Sequence, residues 1–510
     1  MANIDSITYR FSLFENSIIY LTGVILLYLS ASFLVPLVAA FLMGEDIMLF
    51  LIPTLVCLLI ALPLVFLFKT SPTIRPVEGL FLVSITWLFA MAVGAIPFVL
   101  AGMGIVDACF ESMSGFTTTG STIMTDIESW PSSLLLWRSM IQWIGGAGII
   151  TVFITILPIL GIGGRALFRN EFPGMEVQNF TFRVQEAAKE FHAIYLVLSG
   201  CLLALVLLMG ESLFDALCIM FSTMSTGGFS PHSESIAYFS PIIQWIVIIF
   251  MFLAATNFYL HYRAIYRHEL RAYKSSAEFR GFALVCLIAT VFTFFIVGAQ
   301  MSGLSQIREG EEVLRSSAFQ IVSAITSTGY AIEDYNAWPA VVQMLILVIM
   351  LIGANSGSTA GGLKMGRAII GLKFIYQGLM RQIHPRAVLS LKIDGKTIND
   401  DAVSVAMATI LLYFATLVVA SFILLAIGNP PLESFTSVAA CISNHGPGMG
   451  AVGPYGNFAW MDPLSKAVLI FTMWAGRLEL LTVFVLLTPD FWKELRRYAH
   501  RNQGTRLKKS

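Results

Sequence analysis

The sequence predicts an all-α, polytopic membrane protein in which two N-terminal spans precede four repeats of span, half-helix and span. Three observations carry that prediction. Mean hydropathy is +0.79 with 12% charged residues. Ten apolar stretches are long enough to cross a bilayer, and four short, glycine-bearing polar segments recur at matched places between them. A soluble globular chain carries about 25% charged residues. Half that fraction leaves too little polar surface for water, so lipid is the natural solvent. The six cysteines (Cys57, Cys109, Cys201, Cys218, Cys286, Cys441) form no CxxC pair and most lie in apolar runs. Neither a disulfide framework nor a zinc site is indicated. The opening MANIDSITYRFSLFENS lacks a basic region followed at once by an apolar stretch and a small-residue cleavage site, so no cleaved signal peptide is expected.

A spanning helix needs about 20 mainly apolar residues. The candidate spans are 17–42, 47–68, 79–101, 132–160, 190–209, 241–262, 279–301, 338–353 continuing to 380, 401–427 and 463–488. Basic residues set the orientation. With the N-terminus in the cytoplasm, 26 of the 31 Lys and Arg residues fall inside. Arg138, Arg308, Arg315 and Lys466 fall outside, and Arg477 falls within the last span. Both termini are therefore expected on the cytoplasmic side of the cytoplasmic (inner) membrane.

Four segments are too short to cross: DACFESMSGFTTTGSTIM (107–124), ESLFDALCIMFSTMSTGGFSPH (211–232), EVLRSSAFQIVSAITSTGYAIEDY (312–335) and LESFTSVAACISNHGPGMG (432–450). Each follows an outward-going span and precedes an inward-going one. Gly120, Gly227, Gly329 and Gly446 recur at intervals of 107, 102 and 117 residues, the mark of an internal repeat. Irregular backbone at membrane depth is tolerated only where it lines a cavity or is buried in protein. Glycine can aim its carbonyls inward because it adopts positive φ. The half-helices end at these stretches, so their negative dipole ends point the same way. Carbonyls and dipole ends together favour a cation, which is the physics of potassium-channel filters. One such run alone is usually a turn or helix cap; four at matched positions argue for a filter.

FESMSGFTTTGST, STMSTGGFS, SAITSTGY and SNHGPGMG resemble the filter segments of the Trk/Ktr/HKT superfamily of potassium transporters. The chain length and the two extra N-terminal spans resemble its TrkH/TrkG branch. The resemblance implies four M1–P–M2, potassium-channel-like units around a pseudo-fourfold pore in one chain. The expected division is an N-terminal two-helix region at 1–70, pore repeats at 71–165, 185–270, 275–385 and 398–490, and a basic tail at 491–510. The third repeat is expected to have a broken second span. The resemblance further implies ion-binding filter residues Thr118, Thr119 and Gly120; Ser225, Thr226 and Gly227; Ser327, Thr328 and Gly329; and Ser443, Asn444, His445 and Gly446. Gly120, where sodium-preferring plant members carry serine, favours potassium. His445 stands where an apolar residue is expected, which leaves pH dependence open. No stretch reads TVGYG, so potassium-over-sodium discrimination is expected to be weaker than in true channels.

GANSGSTAGGLKMG (353–366) interrupts an apolar helix. Glycine costs about 1 kcal/mol per helix position relative to alanine, so this run is expected to be unwound. In the family the matching segment is a loop beneath the filter that obstructs the cavity. The implied gate comprises Gly353, Asn355, Ser356, Gly357, Ser358, Thr359, Gly361 and Gly362, joined by Arg477 from the last span. The competing readings are a close-packing glycine face for the run and a structural ion pair or carbonyl contact for Arg477. Glu479 is expected to face elsewhere. The P-loop pattern fails because Leu363 follows Gly362 where lysine is required. Ten acidic residues, among them Asp107, Glu111, Glu128 and Asp215, fall near the outer mouth and are read as solvated loop or helix-start charges that concentrate cations.

The function these features imply is potassium uptake, with rubidium and sodium as related cargo. A sodium- or proton-coupled symporter is the alternative, against which stands the lack of an intramembrane carboxylate chain. No HExxH motif, buried Asp pair or Ser/His pair suggests an enzyme. No organic cofactor and no nucleic-acid partner is expected. The resemblance also implies a homodimer in membrane lipid and a separate cytosolic, nucleotide-binding, TrkA-like regulatory subunit, since only about 20 residues follow the last span.

Overall fold

The computed structural model describes residues 13–68, 76–155, 180–301, 310–386 and 389–495. Arg10, Lys69, Arg75, Arg165, Arg169, Arg308 and the tail from 496, on which part of the charge count rests, lie outside them. The described residues are almost wholly helical; a two-residue hairpin pairing Lys392–Ile393 with Lys396–Thr397 is the exception.

Helices α1 (Leu13–Ser32), α2 (Leu34–Met43) and α3 (Met48–Leu67) form the N-terminal hairpin. It leans on the first repeat through Phe33, whose ring lies 4.5 Å from that of Trp137. The first quarter follows: α4 (Pro76–Gly94) with its extension α5 (Ile96–Leu100), pore helix α6 (Ile105–Phe116), and α7 (Ser132–Thr155). The second has α8 (Phe180–Leu208), pore helix α9 (Leu213–Met224), α10 (Pro241–Ala254) and α11 (Phe258–Tyr266). A short helix α12 (Arg271–Ser275) leads to the third: α13 (Ala277–Met301), pore helix α14 (Gly310–Ile325), α15 (Ala340–Ile352) and α16 (Met365–Ile383). The fourth has α17 (Asp400–Ile427), pore helix α18 (Pro431–Ile442), α19 (Pro463–Arg477) and α20 (Leu480–Leu486).

Among the described residues, six helices are long and apolar enough to span a bilayer, or up to eight if each of two bent pairs counts as one span. The bent pairs fall within the expected spans 241–262 and 463–488, which are therefore not single straight helices. The second quarter turns by 96° between α10 and α11, and the fourth by 116° between α19 and α20. In the second, Asn257 caps the new helix by accepting from the Tyr259 N–H at 2.8 Å. In the fourth, Glu479 carries the turn at φ 61°.

Burial runs opposite to that of a soluble protein. Leu59, Phe66, Leu287 and Phe422 stand exposed on the outside, whereas Thr117, Thr119, Ser225, Thr226, Thr328 and Asn444 are wholly buried at the centre. Each pore helix packs against a spanning helix of the preceding quarter: α9 on α7, α14 on α10, α18 on α15, and α6 on α19. The last contact closes the circle.

Candidate ion pathway

The four pore helices end in one repeated turn. The capping residues are Thr117, Ser225, Thr326 and Ser443, and each hydroxyl donates to the carbonyl four residues back, at 2.6 to 2.8 Å. The next residues, Thr118, Thr226, Ser327 and Asn444, sit at φ between 50° and 54°. Their N–H groups donate three residues back, and those of Thr119, Gly227, Thr328 and His445 donate five back. This is the Schellman cap, four times over. It satisfies carbonyls that a helix end would otherwise leave unpaired in the interior.

The residue after each cap returns to positive φ: Gly120 (84°), Gly228 (77°), Gly329 (80°) and Gly446 (102°). The glycine of the second turn equivalent to Gly120, Gly329 and Gly446 is therefore Gly228, not Gly227 as the sequence spacing suggested. Ser225 is correspondingly the cap, Thr226 the counterpart of Thr118, and Gly227 the counterpart of Thr119. Neighbour contacts agree. A Cβ on Gly120 would run into the Gly227 carbonyl, one on Gly228 into that of Thr328, one on Gly329 into that of His445, and one on Gly446 into that of Thr119. The four turns thus meet as a closed ring. Positive φ and backbone contact together leave no room for a side chain there. All four glycines line one opening of about 650 Å³, on the side from which the pore helices start.

On the other side of the ring lies the 353–364 loop, unwound as expected. Its ends are tied together: the Leu363 N–H donates to the Leu351 carbonyl at 3.1 Å and the Met365 N–H to that of Ala354 at 2.8 Å. Gly353 (φ 70°) and Gly362 (φ 78°) lie against each other at the neck. From there the loop reaches three of the four turns. The Gly361 N–H donates to Ser327 Oγ at 2.5 Å, and a Cβ on Gly361 would meet the Ser443 carbonyl. Thr359 Oγ1 lies 3.4 Å from Thr226 Oγ1 and donates to the Met224 carbonyl at 3.2 Å. Asn355 Nδ2 and the Phe258 N–H join the loop to the bend between α10 and α11, through the Ala255 and Gly357 carbonyls. Ser358 Oγ stabilises the loop internally by donating to the Asn355 carbonyl at 2.6 Å.

Arg477 ends α19 with 4% of its surface exposed. Its Nη1 donates to the Thr359 carbonyl at 2.8 Å, while Nε and Nη2 have no hydrogen-bond partner among the described residues. Together with Asn444, Tyr413 and the loop it lines a cavity of about 430 Å³. Glu479, expected to face elsewhere, lines the same cavity and pairs there with Arg367 at 2.6 Å. Lys364 and Arg367, counted above as cytoplasmic charges, are buried beside the loop.

Several participants carry no local sequence signal. Glu278 Oε1 accepts from the N–H groups of Ser356 at 2.7 Å and Gly366 at 2.9 Å, which fastens both ends of the loop. Glu111, expected as a solvated mouth charge, is instead fully buried in α6. It pairs with Arg138 at 2.5 Å and accepts from the Ile123 N–H at 3.0 Å. Arg138 continues to the Ser230 carbonyl at 3.0 Å and lies over the Phe229 ring. The pair so ties the chain leaving the first turn to that leaving the second. Thr117 and Thr326 were missed because cap hydroxyls are recognised by their distance from a helix end, which only the structure supplies. At the rim, hydrogen bonds from Ser233 outweigh the burial that would raise Glu128 and hold its carboxyl below the usual range.

Fold and site define the class: a multi-pass helical membrane protein whose four short helices deliver a ring of backbone turns to the protein centre. Residues 50–493 match the profile of the TrkH family, described as cation transport protein, and the chain belongs to that family. It is 37% identical over 423 residues to the Trk system potassium uptake protein TrkH of Salmonella typhimurium, covering 82% of this chain and 86% of the relative. It is 33% identical over 433 residues to the Trk system potassium uptake protein TrkG of Escherichia coli, covering 83% of this chain and 87% of that one. The crystal structure of the potassium transporter TrkH from Vibrio parahaemolyticus superimposes with a TM-score of 0.84 at 32% identity, covering 94% of this chain and 99% of that one.

Proposed function

We infer that this protein takes up potassium through the ring of four turns, with the 353–364 loop and Arg477 as the gate beneath it. One observation carries the reading: Gly120, Gly228, Gly329 and Gly446 each abut the carbonyl of the next quarter in a closed cycle. Backbone oxygens so arranged replace an ion's hydration shell. The filter is formed by the carbonyls of Thr119, Gly227, Thr328 and His445 with the turns that carry them. The cation enters from the 650 Å³ opening, drops its water at the ring, and is stopped by the loop and the guanidinium charge. Opening requires the loop to leave Ser327 and Thr359 to part from Arg477. The buried carboxylates described here are spoken for: Glu111 by Arg138, Glu479 by Arg367, Glu278 by loop N–H groups. That favours a channel-like pore over a proton-coupled carrier.

The reading extends to the setting. The protein lies in the cytoplasmic membrane with the 650 Å³ opening outside and both termini inside. It passes rubidium, and sodium less well. It works as a homodimer whose gate is driven by a separate nucleotide-binding subunit on the cytoplasmic face. Expression in a potassium-uptake-deficient cell tests this: growth at low external potassium, with uptake competed by rubidium more strongly than by sodium, is the expected result. Failure to restore growth by protein that reaches the membrane would refute it.

A further inference from the structure

Counted from the starts of α7, α10, α15 and α19 at Ser132, Pro241, Ala340 and Pro463, the eleventh residue is Gln142, Met251, Met350 and Met473. All four are buried behind the ring, none more than 2% exposed. The methionine side chains have no N–H or O–H to donate. Gln142 does: its Nε2 donates to the Gly227 carbonyl at 2.7 Å, and its Oε1 accepts from the Phe229 N–H at 3.1 Å. Since a carbonyl only accepts and an N–H only donates, these partners also fix which way the amide points.

The two bonds straddle Gly228. The second turn is the one whose ring peptide is flanked by two glycines; the other three read Thr119–Gly120, Thr328–Gly329 and His445–Gly446. A Gly–Gly peptide has the widest backbone freedom of the four. Among the described residues, no N–H or O–H donates to the carbonyls of Thr119, Thr328 or His445. The glutamine thus stands at the one place where the ring lacks a side chain of its own to hold it.

We propose that Gln142 is a specificity-determining residue of the pore: it clamps the Gly227 carbonyl and keeps the ring from contracting around a smaller cation. This rests on the filter reading above. Without the clamp the Gly227–Gly228 peptide tilts inward and the ring accepts sodium more readily. Potassium and rubidium, being larger, need no such tilt. Gln142→Met copies the other three quarters, conserves volume and removes both bonds; Gln142→Leu does so without sulfur. The full-length protein is reconstituted in liposomes, and labelled rubidium uptake is measured against sodium. The sodium inhibition constant, taken relative to the rubidium KM, is expected to fall at least threefold in whichever variant is recovered. A packing defect alone would lower the amount of active protein and leave that ratio unchanged. An unchanged ratio overturns the proposal. Gly228→Ala in the same assay separates the two claims. If it leaves uptake and ratio intact, the filter reading itself falls; if it abolishes uptake while the Gln142 variants keep the wild-type ratio, only the clamp falls.

Discussion

The four filter turns and the four spans that follow them have diverged in opposite ways. The turns read TTTG, STGG, TSTG and SNHG, yet they share cap hydroxyl, Schellman bonds and two positive-φ residues. The spans are alike in composition but not in shape: α7 runs as one helix, α10/α11 bends by 96°, α15/α16 is split by a loop, and α19/α20 bends by 116°. If the turns share one ion, as proposed, it demands one backbone geometry from every quarter, and several sequences deliver it. A gate needs asymmetry, so the spans below the ring were free to differ. The breaks gather on one side, where the loop of the third quarter meets the bend of the second and Arg477 of the fourth.

The sharpest way to break this comparison is within the ring. Gly329→Val is expected to abolish rubidium uptake: a non-glycine residue at left-handed φ costs about 1–2 kcal/mol, and this one also meets the His445 backbone. Substituting Gly228 should be far more damaging than substituting Gly227. Gly227 lacks positive φ, and its added methyl meets only the Gln142 amide. Equal effects of Gly227→Ala and Gly228→Ala on uptake would undo the register. Next comes the gate. Arg477→Ala removes a charged hydrogen bond worth about 1.5–3 kcal/mol together with a buried positive charge, so ion flux should rise by about tenfold or more in liposomes. Unchanged flux would remove Arg477 from the pathway. Glu278→Ala frees two loop N–H groups, at about 1–3 kcal/mol, and should raise basal flux less than the arginine variant while lowering thermal stability. The smallest effect is expected at Glu269, whose exposed carboxylate pairs with Arg263 at 2.6 Å. Glu269→Gln should cost about 1 kcal/mol or less and leave selectivity unmoved, as read by thermal unfolding and rubidium uptake.

What the sequence disclosed follows the same division. Spans and pore helices were legible because apolar length and interrupting glycines are local signals. The unwound stretch at 353–364 was legible for the same reason. The second filter glycine was misplaced by one because STGG offers two glycines, and only the distance from the end of α9 decides which takes positive φ. Asn257, a cap residue type ahead of Phe258, went unread inside the apolar span 241–262, and Glu479 gave no local sign of its positive-φ turn. Glu278, Gln142 and the Glu111–Arg138 pair act on residues far along the chain, so no window of sequence contains the interaction.

The most direct test of the central claim is to locate the ion itself. A structure determined with thallium in place of potassium should carry anomalous density encircled by the carbonyls of Thr119, Gly227, Thr328 and His445. An empty ring, with the ion held instead by side chains elsewhere among the helices, would contradict it.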